Sequence, residues 1–309
     1  MFDIAIILIN YNSSKHTINC IRSIVDNTSE KINYQIIITD NCSRKEDYFS
    51  LKTFCETISI PNLKLYRSNI NTGFGGGNMN GVQHSNAKYY AFINNDTLLL
   101  NDCLSILKDT LDNNPEIGLA GGQSHKENGD FMVSLDHFTS PLKEIAGRDF
   151  LEFINPKKYP KRKIRHLTPT QVSFVPGSFM FLRAEDFNRI GGFDTNIFLY
   201  YEETDLCLRL KKISKHACLV PDAKFIHLHG ASTEQKSIDI KKEIKISLLY
   251  VIRKHYGFFG HKIILVHQIV KYFFSSLFKP KNWSLFILIL GGAHISKSLK
   301  SKQTITTLE

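Results

Sequence analysis

Residues 89–100 read YYAFINNDTLLL, and the reading of this stretch decides how the rest of the chain is understood. An apolar β-type run (89–93) delivers three polar side chains, Asn94, Asn95 and Asp96, before apolar residues resume. A short apolar run bounded in this way has the pattern of a strand buried on both faces in a parallel sheet, with the polar cluster at its carboxyl end. Open α/β sheets bind their ligands at that end of the strands. A single carboxylate there can hold Mg2+ or Mn2+ against the phosphates of a nucleotide. The plainer alternative is a strand that closes in an Asx-type turn.

Upstream, the aliphatic run 4–9 reads as a central strand ending in Asn10-Tyr11-Asn12, with Ser13 and Ser14 placed to cap a helix through about residue 26. A second strand (34–39) closes on Asp40-Asn41-Cys42-Ser43. A carboxylate at that position can accept a hydrogen bond from the ring N–H of uracil or thymine, or it can simply cap the next helix. A third short strand (63–67) precedes the glycine-dense loop from Asn71 through Gly73, Phe74 and Asn78 to Gly81. Such density lets backbone approach a ligand closely before entering a helix. It is not a dinucleotide fingerprint, because the sixth position counted from Gly73 or Gly75 is Asn78 or Asn80.

Downstream, a helix (101–113) and a strand (117–122) continue an alternation that argues for an α/β fold with a mostly parallel central sheet. The polar, Lys- and Pro-containing region 126–170 reads either as a loop beside the site or as a solvated connection. Order returns with Pro176-Gly177-Ser178, a helix (184–190) stopped by Gly191-Gly192, and the aromatic run 198–201. Glu202, Glu203 and Asp205 follow; they are either functional acids or an acidic first turn favoured by the helix dipole. His227 closes the body, as a packed strand histidine or as a metal ligand.

The six cysteines show no paired spacing, so neither a zinc site nor a disulfide framework is expected, and a reducing cytosol fits. Asp3 stands where a signal peptide would be basic, and the apolar run behind it is short. The net charge of +10 lies wholly in residues 236–309, where 13 Lys/Arg face three acids. That division predicts a neutral body (1–235) and a cationic, helical C-terminal extension (236–309). Two apolar stretches of the extension are interrupted by polar residues and fall short of the ~20 apolar residues of a spanning helix. Basic helices with aromatics suit an anionic cytoplasmic leaflet, and so a peripheral position on the inner face of the cell membrane. Packing against the body, or against a second copy in a homodimer, is the alternative. A neutral body without a recognition motif speaks against nucleic acid.

Taken in order from residue 4 to residue 232, these segments resemble the family 2 inverting glycosyltransferases, in particular the rhamnosyltransferase-like members. The resemblance implies a GT-A fold and a nucleotide-sugar donor, dTDP-rhamnose or another dTDP- or UDP-sugar. It implies a lipid-linked or growing surface glycan as acceptor. It places Asn10, Tyr11, Asp40, Asn71, Gly73, Phe74, Asn78, Asn95 and Gly177 around the donor, with Asp40 reading the pyrimidine and Tyr11 lying along it. Asp96 and His227 would hold Mg2+ or Mn2+. Amides at 94 and 95 depart from the family's Asp-x-Asp pattern and leave one acid there. The family's Glu-Asp pair stands as Glu202-Glu203, so the general base falls on Glu203, with Glu202 and Asp205 as rivals.

Inverting transfer is a single displacement at the anomeric carbon, needing a carboxylate for the acceptor's proton and a cation for the departing diphosphate. Two other readings compete: a sugar-phosphate nucleotidyltransferase, and a non-catalytic nucleotide-sugar-binding module motivated by the amides at 94 and 95. The first would be expected to carry a Gly-rich, Arg/Lys-bearing loop after the first strand, where this chain has Asn10-Tyr11-Asn12.

Overall fold

In a computed structural model of the chain, residues 1–228 and 237–307 are described. The aliphatic run near the start forms β1 (Phe2–Asn10), hydrogen-bonded in parallel to β2 (Tyr34–Asn41) on one side and to β4 (Ala87–Asn94) on the other. β3 (Leu63–Ser68) extends this parallel half beyond β2. The intervening helices are α1 (Ser14–Asn27), α2 (Lys45–Thr57) and α3 (Gly73–Gln83). Isoleucines alternate across β1: Ile4, Ile6 and Leu8 pack toward α1 and α2, while Ala5 and Ile7 face the opposite layer. Burial on both faces is what makes the strand read as an unbroken apolar run.

The other half of the sheet is mixed. β5 (Thr97–Leu99), α4 (Cys103–Asn113) and β6 (Ile117–His125) follow β4 in the chain. Later come β7 (Thr170–Val172), β8 (Phe179–Arg183), α7 (Ala184–Arg189), α8 (Glu202–Lys212) and β9 (His216–His227). The strand order is β3-β2-β1-β4-β8-β6-β9-β5, with β7 beside β9. β8 runs antiparallel between β4 and β6, and β5 and β7 are antiparallel to β9. The expected mostly parallel sheet therefore holds for the first half and gives way to mixed pairing where the second begins. An apolar run buried on both faces carries no signal of strand direction.

Region 126–170 does more than connect. It contains α5 (Pro141–Ala146) and α6 (Arg148–Ile154). Asp136 accepts from Arg148 at 2.7 Å, and Glu152 takes Arg162 at 2.7 Å and buried His137 at 3.1 Å. Only its later part remains an exposed, basic connection.

The extension begins with α9 (Ile238–Phe278), which Gly257 (φ 70°, ψ −164°) breaks into two helices, and continues with α10 (Trp283–Leu290). Ile246, Leu249, Ile252, Ile264 and Ile289 form a separate apolar cluster there, and Tyr201 of the body packs against it. No helix among the described residues is long and apolar enough to cross a membrane.

Polar anchors fasten the first half of α9 to the body. Asp205 Oδ1 meets Lys254 Nζ at 2.6 Å and His255 Nε2 at 2.7 Å, while Arg209 donates to Oδ2 at 2.9 Å. Burial opposes the charge on Asp205, but His255, Arg209 and Lys254 outweigh it and hold its carboxyl near a pKa of about 2. Asp194 adds Tyr250 at 2.8 Å and Lys254 at 2.7 Å. Removing one partner of such a buried set leaves stranded charge, so Asp205→Asn should lower stability by ~3–5 kcal/mol in urea unfolding at pH 7. Because the folded-state pKa is depressed, this contribution is fully present above ~pH 4 and is lost as pH falls toward 2; the wild-type advantage over Asp205→Asn should shrink across that window.

Candidate functional site

A cleft of about 530 Å3 opens where the two halves of the sheet meet, at the carboxyl ends of β1 and β4. Its size is that of a small-molecule site. Of the residues singled out from the sequence, Tyr11, Asn71, Gly73, Phe74, Asn78, Asn95, Asp96, Gly177, Glu202, Glu203 and His227 all line it. Asn10, Asp40 and Asp205 do not.

Asp96 and His227 meet because of strand register. Asn95 and Asp96 form the two-residue turn between β4 and β5, and β5 pairs with β9 so that Thr97 faces His227. Leu228 N–H donates to Asp96 O at 3.0 Å, closing the corner. The result places His227 Nε2 at 3.1 Å from Asp96 Oδ1. Burial works against the aspartate's charge, yet the neighbouring imidazole of His227, then a backbone N–H and the more distant His16, more than offset it, so the carboxyl titrates below its usual range. Asn95 turns elsewhere: its amide nitrogen donates to Ser13 Oγ at 2.6 Å and Thr17 Oγ1 at 2.8 Å, tying the turn to α1.

The acidic pair enters from α8. Tyr200 and Tyr201 both hold left-handed backbone (φ 71° and 74°) immediately before Glu202. Bulky residues avoid that region, at a cost on the order of 1–3 kcal/mol each. The double twist sends Glu202 and Glu203 into the cleft. Gly177 N–H donates to Glu203 Oε1 at 2.9 Å, and a Cβ at 177 would lie 2.7 Å from that same oxygen, so a side chain there would push the carboxylate out of this position. Glu202 is buried, and its Oε1 has no hydrogen-bond partner among the described residues. Burial, and then the charge of Glu203, push the Glu202 pKa well above that of an ordinary glutamate; burial also raises that of Glu203.

The glycine-dense stretch is mostly the helix α3, with its loop confined to residues 69–72. Asn41 organises it, its amide donating to Asn71 Oδ1 and Gly73 O at 3.0 Å and its Oδ1 accepting from Thr72 N–H at 3.0 Å. Gly73 is required twice, by its φ of +73° and because any Cβ there would collide with the carbonyl oxygen of Phe198. Phe74 N–H donates to Phe198 O at 2.9 Å, which stitches this loop to the segment leading into Glu202.

Two expectations need correcting. Asp40 is fully buried, and both its oxygens are engaged: Oδ1 by Asn10 at 2.9 Å, Oδ2 by Arg67 at 2.5 Å and Ser43 N–H at 3.2 Å. Asn10 lies beneath the cleft floor beside it, so in this conformation the two brace the loops rather than meet a base. Asp205 is withdrawn from the rivals for the base, because it serves the α9 anchor described above. Two of its partners, Lys254 and His255, lie some 50 residues downstream, beyond the reach of any local pattern.

Residues 5–191, over half of the chain, match Glycosyl transferase family 2. The chain belongs to this family. The Escherichia coli (strain K12) rhamnosyltransferase WbbL is 37% identical over 108 residues, covering 34% of this chain and 39% of WbbL. An N-acetylglucosaminyl-diphospho-decaprenol L-rhamnosyltransferase of Mycobacterium tuberculosis is 30% identical over 87 residues, 28% of each chain. The matches thus span well under half the length of these relatives. Among solved structures, GalNAc-T7 with UDP, GalNAc and Mn2+ superposes with a TM-score of 0.62 at 12% identity, over 82% of this chain and 48% of that one. The mannosyltransferase PcManGT of Pyrobaculum calidifontis, with GDP-Man and Mn2+, gives 0.57 at 12% identity, over 96% and 89%. These establish the GT-A fold of the family 2 chain.

The donor set fits a divalent cation that the protein holds only in part. Among the described residues no cluster of three His, Cys, Asp or Glu side chains surrounds a point; Asp96 and His227 stand together as a pair of donor side chains. An ion of the Mg2+ or Mn2+ type is often bound in this way, by one or two side chains with phosphate oxygens and water completing the shell. No Lys or Arg is among the described residues lining the cleft, whose ionisable acids are Asp96, Glu202 and Glu203 with His227 as the one basic side chain.

The raised pKa of Glu202 has a direct consequence. Between its ordinary value and its folded value the ionised unfolded chain is favoured, so that glutamate destabilises the fold at neutral pH. Without nucleotide or metal, Glu202→Gln should melt at a higher temperature than wild type at pH 7.5, with the difference vanishing below ~pH 4, where both states are protonated.

Proposed function

We propose that the protein is a metal-dependent inverting glycosyltransferase that moves a sugar, rhamnose first among candidates, from a dTDP- or UDP-sugar. The acceptor is a hydroxyl of a lipid-linked or growing cell-surface glycan, such as an O-antigen polysaccharide of the cell envelope. One observation carries the reading: Asp96 with His227, and Glu202 with Glu203, arrive from unrelated segments to line one cleft. The rhamnosyltransferase relatives support the sugar, and the fold supports the nucleotide-linked donor.

In this scheme Tyr11 lies along the base, and Asn71, Gly73 and Phe74 form the wall behind the nucleoside. Asp96 and His227 hold Mg2+ or Mn2+, which when bound neutralises charge growing on the leaving diphosphate. Glu203 is the general base. Its Oε1 is fixed by Gly177 N–H, leaving Oε2 to take the acceptor's proton as the acceptor oxygen bonds to the anomeric carbon and the bond to the diphosphate breaks. A carboxyl with a raised pKa is the stronger base, provided it is ionised. Glu202, more deeply buried and favoured as the neutral acid, orients the acceptor hydroxyl.

We also propose the division into a transferase domain (1–235) and a membrane-associating extension (236–309) that holds the protein at the inner face of the cell membrane. The boundary between 235 and 236 lies outside the described residues. Beyond the Gly257 break, Phe259, Ile263, Val266, Val270, Phe274 and Leu277 recur at helical spacing along α9 and are exposed. Phe153 of α6 is exposed too, and α6 adjoins α5, which packs on α9. An apolar stripe on the segment that carries the chain's whole positive excess complements an anionic bilayer.

Glu203→Gln should reduce transfer by at least ~100-fold while dTDP binding with Mn2+ stays within a few-fold, and the wild-type kcat/KM should fall as pH drops through an apparent pKa above that of an ordinary glutamate. Asp96→Asn, or EDTA, should abolish Mn2+-dependent nucleotide binding. A thermal-shift panel of nucleotide sugars with Mn2+ identifies the donor; no shift with any of them sinks the assignment, and binding without transfer or hydrolysis returns the protein to a binding module. Val266→Glu/Val270→Glu should release the protein from vesicles containing anionic lipid. Unchanged flotation, or a dimer in sedimentation that the same change dissociates, would assign the stripe to protein packing.

A further inference from the structure

Three residues that line the cleft come from outside the transferase body: Ile240 at the start of α9, and Leu299 and Gln303 beyond α10. The last two belong to a segment that returns from the helical cluster and crosses to the donor side. Its near end is held by a buried acid that the proposed chemistry does not use. Glu243 Oε1 accepts from Ser298 Oγ and its Oε2 from Leu299 N–H, both at 2.7 Å, and Glu243 and Ser298 are each only 1% exposed. Along the way Lys300 donates to Thr195 O, and Gln303 Nε2 donates to Leu299 O at 3.0 Å. At the far end Thr306 N–H donates to Asn69 O at 2.7 Å, two residues before Asn71.

Ordering backbone costs ~1–2 kcal/mol per residue, so a segment this exposed along much of its length lies in one path only where specific bonds tie it down. Here the ties are charge-assisted bonds to a buried carboxylate at one end and a backbone bond to the donor loop at the other. Between them the chain passes over the cleft.

We propose that residues 298–306 form a strap over the donor cleft, in which Gln303 contacts the nucleoside diphosphate and Glu243 is the positioning residue that holds the strap in place. With its amide nitrogen committed to Leu299 O, Gln303 offers its Oε1 as an acceptor to hydroxyl or N–H groups of the nucleotide. The strap joins the nucleotide side to α9, and so links donor binding to the element that also carries the apolar stripe. The proposal rests on the cleft being the nucleotide-sugar site.

Its test is calorimetric titration of dTDP and of UDP, with Mn2+, into the full chain and its variants. Gln303→Ala should weaken binding of the preferred nucleotide about tenfold, the loss of one good hydrogen bond. Thr306→Pro removes the N–H that reaches Asn69, at the cost of a fixed φ in an already extended stretch near the chain's end, and should weaken binding several-fold with an unchanged melting temperature. Glu243→Ala should weaken it more than Glu243→Gln, whose carboxamide oxygen still accepts one of the two bonds. Tight binding by wild type with Gln303→Ala and Thr306→Pro both within twofold of it would overturn the strap and leave the cleft assignment standing. No binding of either nucleotide by wild type would overturn the cleft assignment, and the strap with it.

Discussion

Three carboxylates, Asp96, Glu202 and Glu203, line a cleft whose described lining holds no lysine or arginine. That concentration of negative charge constrains everything the site can do. A nucleoside diphosphate brings more of the same sign, and at the short distances of a partly desolvated cleft the repulsion is large. The structure meets the difficulty on both sides. Asp96 stays ionised beside His227, ready for a cation, while Glu202 is driven toward the neutral acid by burial and by Glu203. Two acids in one cleft are thus pushed apart in pKa, one toward the charged form and the other toward the neutral one, the separation that acid–base chemistry uses.

Much of this was legible in the sequence, and what was not has identifiable causes. The polar cluster after 93, the glycines from 73 and the acids at 202 and 203 stood out because each is a chemical exception at the end of an apolar or aromatic run. Their convergence needed pairings that no run displays. Asp96 meets His227 only because β5 and β9 are antiparallel in the register that sets Thr97 opposite His227. Shifting that register by one residue would turn the imidazole to the other face of the sheet. Asp40 and Asp205 stand outside the cleft lining for the complementary reason. Each looked available by its position at an element's end, but Arg67 and Asn10 take up one, and Arg209, Lys254 and His255 the other. The left-handed pair Tyr200-Tyr201 left no trace at all, since glycine is the residue that ordinarily advertises such backbone.

That strained pair also explains why the extension is joined to the body where it is. A two-residue left-handed turn persists only if its surroundings over-determine it. Leu199 O accepts from Ser247 Oγ of α9 at 2.9 Å, Tyr201 packs in the apolar cluster of α9 and α10, and Asp205 one turn on is clamped by Lys254 and His255. On the other side, Phe198 O is fixed by Phe74 N–H. The turn that aims the two glutamates is thus held between the start of α3 and α9. The glutamates sit where neither half of the molecule alone would keep them.

The same geometry distinguishes the two halves of α9. Before Gly257 the helix spends its polar groups on the body, through Ser247, Tyr250, Lys254 and His255. After it, exposed apolar side chains recur, and the charged groups that would make an ordinary solvated face are sparse: Lys262 and Lys271 are the only Lys, Arg, Asp or Glu on residues 258–278. A helix that merely stiffened the fold would carry polar residues on its outer side throughout. The break in φ at Gly257 separates a helix that braces the turn before Glu202 from one that presents surface, and the chain then returns past Ser298 to Glu243 on the bracing half.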